Sequence, residues 1–281
     1  MDIVVCIKQV PNTSEVKIDP KTNNLVRENI PSMMNPYDEN AMEEALKLKD
    51  KFGAKVTAIS MGPPQAKEVL QEALAMGADR AILLSDRKLG GADTLATGYT
   101  LSTLIGTLKP DLVFCGSEAV DGCTGQVGPI IAENLDMAQC TYVNEIIGLE
   151  ENHIVVSREL IDVYKIFRVE FPAVLCTLKG INVPRKPGKN EKQVEVMDAE
   201  TAGLSDERIG LNGSPTRVVT IDMSENKTSG FVMIDSSLPA KERIKAIING
   251  GVEPKKVNLL RGTPEQLAKK IISDEDVSRY L

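Results

Sequence analysis

The segment best suited to chemistry is Gly116-Ser117-Glu118-Ala119-Val120-Asp121-Gly122-Cys123-Thr124-Gly125-Gln126-Val127-Gly128-Pro129. It holds four glycines in fourteen residues and runs into an apolar stretch of helical length. Glycines let the main chain approach an anion closely, and a helix N-terminus offers unpaired amides with a favourable dipole. In this frame Gln126, Val127 and Gly128 present backbone N–H groups. Thr124 caps the helix or donates to a phosphate, and Asp121 accepts from a ribose hydroxyl or an adenine amine. Met61-Gly62-Pro63 and Gly90-Gly91-Ala92-Asp93-Thr94 also place small or polar residues ahead of helical stretches. The chemistry implied is nucleotide binding; the same residues also suit a helix entry that merely needs tight turns. The long segment lacks the G-K-[ST] ending of a Walker A loop, and it is not a G-x-G-x-x-G fingerprint after the first strand. That speaks against a P-loop NTPase and against an ordinary Rossmann dehydrogenase. The residues alone leave AMP and FAD both open.

Other chemistries are narrowed by residue type. The chain has one histidine, His153, so any Ser-His-Asp or Cys-His triad could use only that residue, and a multi-histidine zinc site is excluded. His153 reads as a structural or surface residue on a strand. The five cysteines, Cys6, Cys115, Cys123, Cys140 and Cys176, form no C-x-x-C pair, and they read as reduced, mostly buried thiols. A formal charge of −7 lacks the basic footprint of a nucleic-acid binder, and with 4% aromatics base-stacking platforms are not expected. No run approaches the roughly 20 apolar residues of a membrane span. Met1 to Ile7 enters a strand-like run without a basic leader, so a cytoplasmic location is expected.

The elements that must position these loops alternate through the first two thirds of the 281 residues. Strands are expected at Ile3–Ile7, Ala54–Ser60, Arg80–Ser85 and Asp111–Cys115. Helices are expected from Asn35-Pro36 to Phe52, from the Pro63-Pro64 turn to Gly77, over Asp93–Leu108, and from the glycine-rich segment to about Leu135. The polar stretch Asn12–Met34, with turn signals at Asp19-Pro20 and Asn23-Asn24, has room for a small hairpin. Short apolar strands alternating with helices of 10–16 residues indicate βαβ units in a parallel sheet covered on both faces. Cys140–Leu149, Ile154–Leu160, Tyr164–Phe171 and Ala173–Leu178 follow at short spacing. They read as antiparallel additions at the sheet edge, because parallel crossovers need more chain.

After Pro184 the pattern changes. Residues 185–192 are polar, basic and turn-rich and read as a linker, giving an α/β domain over 1–185 and an arm over 186–281. Within the arm, Arg217–Asp222 suits a strand. One helix starts near Pro239 and stops at Gly250-Gly251; another has Thr263 as N-cap, Pro264 at N1 and Gln266 at N3. Asp274-Glu275-Asp276 reads as a solvated run. An arm of this size buries little surface alone, so it is expected to pack on a partner chain.

Several of these motifs, in this order, resemble the electron-transferring flavoprotein β subunits. They are Cys6-Ile7-Lys8-Gln9-Val10-Pro11, Asn35-Pro36-Tyr37-Asp38-Glu39, Ala92-Asp93-Thr94, Pro172-Ala173-Val174-Leu175 and Asn182-Val183-Pro184-Arg185. The resemblance implies a Rossmann-like α/β fold with helices on both faces, antiparallel edge strands and a C-terminal arm crossing onto an α subunit. Conventional members hold a structural AMP in the β subunit; bifurcating members hold a second FAD there, which takes hydride from NADH. The stretch Asp121-Gly122-x-Thr124-x-Gln126-Val127-Gly128-Pro129 and the Gly90–Thr94 loop resemble the bifurcating form, with Cys123 standing where an acidic residue is expected. By resemblance the nucleotide-contacting residues are Ile7, Asn35, Tyr37, Met61 and Gly62 from the first half. Gly91, Asp93, Thr94, Thr97 and Gly116 join them, with Asp121, Gly122, Thr124, Gly125, Gln126, Val127 and Gly128 from the long loop. Tyr37 stands where the family points an aromatic towards the α-subunit flavin. Conventional members continue after the Asn182–Arg185 motif with a loop that docks acyl-CoA dehydrogenases. This chain reads Lys186-Pro187-Gly188-Lys189-Asn190 there, so the resemblance does not extend to that docking loop.

Three functions remain. The first is a bifurcating β subunit that oxidises NADH through FAD, with an α subunit, a dehydrogenase, and ferredoxin or flavodoxin as partners. The second is a conventional carrier subunit with AMP, and the third a flavin-free adenine-nucleotide-binding regulator.

Overall fold

The computed structural model describes residues 1–12, 31–217 and 262–272. The chain forms two compact units, Met1–Val219 and Thr220–Leu281.

In the first unit, β1 (Asp2–Cys6), β4 (Lys55–Met61), β5 (Arg80–Leu84) and β6 (Leu112–Gly116) alternate with four helices. These are α1 (Pro36–Phe52), α2 (Lys67–Met76), α3 (Thr94–Leu108) and α4 (Val127–Leu135). A separate antiparallel ribbon pairs β2 (Gln9–Pro11) with β3 (Ser32–Met34), closing the stretch where a hairpin was expected. The turn signals at Asp19-Pro20 and Asn23-Asn24 lie outside the described residues. Later strands are β7 (Ala138–Leu149), β8 (His153–Glu159), β9 (Tyr164–Glu170), β10 (Ala173–Thr177) and β11 (Glu195–Met197). Among the described residues the main sheet has nine strands in the order β11-β5-β4-β1-β6-β10-β7-β8-β9.

Side chains of a strand point alternately to the two faces, and the sheet is packed accordingly. Ile3, Val5 and Phe114 join Met42, Ala45 and Leu46 of α1 and Leu70 of α2 in one core. Val4, Val113 and Cys115 join Leu104 and Ile105 of α3 and Ile131 of α4 in the other. Helix boundaries follow their stop signals: Gly53 closes α1 at φ 70°, its amide bonded to the Lys49 carbonyl.

The antiparallel pairing expected for Ala173–Leu178 is not found. The meander β7-β8-β9 is antiparallel and ends at the edge, but β10 pairs in parallel with both β6 and β7. The β8–β9 hairpin is the excursion that lets the chain re-enter beside β7 in the same direction. All five β10 residues are buried, as a central strand covered on both faces requires. Beyond Pro184, the chain adds β11 in parallel to β5, held by Arg80, which donates to both Glu195 carboxylate oxygens at 2.8 and 2.7 Å.

In the second unit, α5 (Pro264–Ile272) starts with the expected capping box. The Thr263 amide donates to Gln266 Oε1 at 3.1 Å, and the Gln266 amide donates to Thr263 Oγ1 at 3.4 Å. The strand expected over Arg217–Asp222, apart from Arg217, the helix from Pro239 to Gly251 and the Asp274–Asp276 run lie outside the described residues. Among the described residues no helix is long and apolar enough to cross a membrane.

Candidate functional site at the strand ends

From β1 the chain winds outward through β4 and β5, then returns to place β6 on the other side of β1. The carboxyl ends of β1 and β6 therefore flank a topological switch point, where open α/β sheets take ligands. Ile7 follows β1, Met61 ends β4 and Gly62 follows it, and Gly116 ends β6, so these expected site residues lie on neighbouring strand ends.

The crevice is fixed by a buried carboxylate. Asp38, in the first turn of α1, accepts the Lys8 amide at 2.8 Å and the Gly116 amide at 3.0 Å, tying the two flanking loops together. Burial pushes its carboxyl up to about 7 against the lowering effect of those amides, Asn35 and the Lys8 charge. Asn35 is buried and grips the long loop from beneath. Its side chain donates to the Glu118 carbonyl at 2.9 Å and accepts from the Val120 amide at 3.2 Å. Tyr37 donates its hydroxyl to Glu118 Oε1 at 3.0 Å; its own burial, then that carboxylate, push its pKa up. Asn35 and Tyr37 thus hold the loop that carries the glycines.

Beyond Val120 the loop opens to solvent. Asp121, Gly122, Cys123 and Thr124 are exposed, and Gly125 adopts φ 62°. Asp121 Oδ1 lies 2.6 Å from Lys8 Nζ, and among the described residues the second carboxylate oxygen has no hydrogen-bond partner. Thr124 does not cap the helix. The N-cap of α4 is Gln126, with no side-chain cap bond, because Gln126 Oε1 instead accepts from Thr94 Oγ1 at 2.7 Å. Among the described residues the amides of Val127 and Gly128 donate to no protein acceptor, and the next position is Pro129, which has no amide hydrogen. Two free N–H groups at a helix N-terminus favour an anion electrostatically.

The glycines divide by what surrounds them. A Cβ at Gly128 would overlap the Cys176 sulfur and reach 3.5 Å from Cys115 Cβ, so this glycine lets α4 sit against β6 and β10. At Gly122 the nearest atom to such a Cβ is Lys8 Nζ, 3.9 Å away, so its surroundings are open. Gly91, at φ 72°, faces the side chain of Leu211.

Asp93 has a structural task that its sequence position did not reveal. It caps α3 by accepting the Leu95 and Ala96 amides, both at 3.0 Å, and its other oxygen accepts the Thr216 amide at 3.2 Å and hydroxyl at 2.7 Å. Burial opposes the charge, but these bonds outweigh it and hold the carboxyl below its usual pKa. Thr97 sits half-buried in the first turn of α3, its amide bonded to the Asp93 carbonyl at 2.9 Å. Two contributors were missed in the sequence, Lys8 and the segment 209–217. The turn-rich Asn212-Gly213-Ser214-Pro215 was the available signal for the second.

Cys6, Cys115, Cys140 and Cys176 are free and buried, and Cys123 is free and exposed. Burial holds the Cys176 pKa well up, and the hydrogen bond with Cys6, then burial, does the same for Cys115. His153 is buried in β8, its Nε2 3.3 Å from Glu150 Oε2, and belongs to none of the strand-end loops.

A doubly wound sheet with an amide-lined loop at its switch point defines an α/β protein of the kind that takes its ligand at the strand ends. Residues 22–202 match the family profile described as the electron transfer flavoprotein domain. The electron transfer flavoprotein subunit beta of Thermoanaerobacterium thermosaccharolyticum is 45% identical over 256 residues, covering 89% of this chain and 98% of that protein. The protein of the same name from Clostridium acetobutylicum is 48% identical over 255 residues, covering 89% and 97%. The caffeyl-CoA reductase-Etf complex subunit CarD of Acetobacterium woodii is 48% identical over 226 residues, covering 78% and 86%. The chain belongs to the electron transfer flavoprotein family, among its β subunits. Its role is electron transfer in company with an α subunit, in a family associated with flavin.

Proposed function

We propose that this chain binds FAD at the glycine loop and oxidises NADH within a cytoplasmic αβ flavoprotein. One electron passes to the α-subunit flavin and the other to a low-potential carrier, ferredoxin or flavodoxin. The observation that carries this reading is the loop Asp121–Pro129. Its sequence resembles the bifurcating form, and its Val127 and Gly128 amides stand free at the switch point. The Acetobacterium woodii relative is named as part of a complex with a caffeyl-CoA reductase, which supports a reductase or dehydrogenase of CoA thioesters as the further partner. Five free thiols suit a reducing compartment.

FAD supplies the hydride and single-electron chemistry, which no side chain of this site can perform. The protein's part is position and electrostatics. Val127 and Gly128 would donate to phosphate oxygens at the positive end of the α4 dipole. Asp121 accepts from a ribose hydroxyl or the adenine amine with the oxygen that Lys8 leaves available. The Thr94–Gln126 bond makes the two loops one wall, while Gly122 and Thr124 leave the mouth open. The Gly90–Thr94 loop, joined to the glycine loop through Thr94 and Gln126, would flank the side on which NADH binds. Residues of the second unit form the arm that packs on the α subunit. The tie of Glu195 to Arg80 and of Thr216 to Asp93 supports starting that arm beyond Val219 rather than at residue 186.

One observation favours a second reading, a conventional carrier with structural AMP. With Pro129 contributing no donor, the two free amides suffice for a single phosphate. The flavin-free regulatory reading has no support once the family is known. The test is to mix the purified αβ complex anaerobically with NADH and follow flavin absorbance. Rapid bleaching is expected. A spectrum that NADH leaves unchanged, while an acyl-CoA dehydrogenase with its substrate reduces it, would identify a conventional carrier.

A further inference from the structure

A second cleft lies against α3, formed between that helix and the segment 207–217. Its volume is about 500 Å³, and Leu95, Tyr99, Arg208, Asn212, Ser214 and Arg217 line it, together with the carboxylate of Glu207. That volume is within the usual range for small-molecule sites. The Arg208 guanidinium carbon stands 3.8 Å from the centroid of the Tyr99 ring. A guanidinium stacked in this way is fixed in orientation, and its N–H donors, which lie in its plane, stay free for an anion. Arg80, Arg185 and Lys88 each carry a carboxylate within 3 Å. Among the described residues Arg208 and Arg217 have no such carboxylate; Arg217 donates only to the Leu211 carbonyl.

The floor of the cleft is tied to α3. Ser214 Oγ donates to the Gly210 carbonyl at 2.6 Å and accepts the Asp93 amide at 2.8 Å. Thr216 is bonded to the Asp93 carboxylate as described above. The first turn of α3 therefore serves two sites. Thr94 is bonded to Gln126 of the glycine loop, and its neighbour Leu95 lines the cleft. Leu95 is 48% exposed, an apolar surface on which an adenine can lie.

We infer that this cleft binds the pyrophosphate of an adenine nucleotide, namely the adenylate end of the NADH that reduces the glycine-loop flavin. The identity of the dinucleotide rests on the proposed function; the recognition of a nucleotide pyrophosphate rests on Arg208, Arg217 and the cleft alone. Arg208 and Arg217 supply charge-assisted donors, and Tyr99 holds Arg208 in place.

Calorimetric titration of the flavin-loaded αβ complex with ADP, NADH and adenosine, in wild type and in Arg208→Gln and Arg217→Gln, tests this. Both arginines are exposed, so the variants fold, and flavin content read from absorbance is expected to be unchanged. ADP and NADH are each expected to bind roughly 10–100-fold more weakly to either variant, the scale of a lost charged hydrogen bond. Adenosine, without phosphate, is expected to be indifferent to the substitutions. Weakened ADP with unaltered NADH binding would overturn the dinucleotide assignment. Unaltered binding of both would overturn the site. If NADH fails to bleach wild-type flavin while ADP binding still depends on Arg208, the proposed function fails and the nucleotide cleft stands.

Discussion

Replacing Asp121 with alanine is expected to deprive the αβ complex of its β-site nucleotide and of NADH oxidation together, while the chain stays folded. Among the described residues the side chain of Asp121 pairs only with Lys8, through one oxygen at 2.6 Å, with 47% of the Lys8 and 27% of the Asp121 side chain exposed. An exposed ion pair of this kind contributes about 0.2–1 kcal/mol, so the melting temperature should move by no more than a few degrees. A carboxylate that accepts from a ribose hydroxyl or adenine amine is worth about 1.5–3 kcal/mol to the ligand, or roughly 10–100-fold in affinity. The sign is informative. If Asp121 did nothing but neutralise Lys8, its removal would free a cation beside the phosphate site, and an anionic nucleotide would bind at least as well as before. Loss of extractable nucleotide in a normally melting variant is therefore the mark of direct recognition. Full nucleotide content in Asp121→Ala would assign Asp121 to Lys8 alone.

Gly128→Val is expected to destabilise the fold itself. The first added carbon already overlaps the Cys176 sulfur, and the branches must enter the space between α4, β6 and β10. Neither Cys115 nor Cys176 can retreat, being buried in the packed face beneath α3 and α4. Overpacking at such a place costs about 1–3 kcal/mol, which in a domain of this size lowers the melting temperature by roughly 2–12 °C. Gly122→Val is the matched control. Its surroundings are open, so it should melt like wild type while crowding the mouth of the loop and lowering nucleotide content. Calorimetric melts of the two variants beside the wild type measure the difference. A Gly128→Val protein with unchanged melting and no nucleotide would mean that the missing side chain serves ligand approach rather than helix packing.

The alternating strands and helices were legible because each is a short apolar run or a 3–4-residue repeat bounded by turn or stop residues, as at Gly53. The parallel pairing of Ala173–Thr177 was not legible from spacing, because a short connection ordinarily joins antiparallel strands. Its continuous apolar run was itself the sign of a strand buried on both faces. At the site, composition alone marked the glycine loop, but not what each residue does there. Lys8 and Asp121 lie 113 residues apart, and Thr216 reaches Asp93 across 123, so no local pattern announces either contact. Nor does a run of glycines say which are open to a ligand and which, like Gly128, are required by a neighbouring helix and strand. The second task of Asp93, as both cap and anchor for the segment at residue 216, became visible only when the chain folded back over the Gly90–Thr94 loop.

The measurement closest to the central claim is the nucleotide content of the purified αβ complex. Heat or acid releases the bound nucleotides, which are then separated and quantified against protein. Two FAD per αβ pair and no AMP are expected, the second flavin being lost in Asp121→Ala. One FAD together with one AMP would contradict that claim, and would make this chain the AMP-holding subunit of a conventional electron carrier.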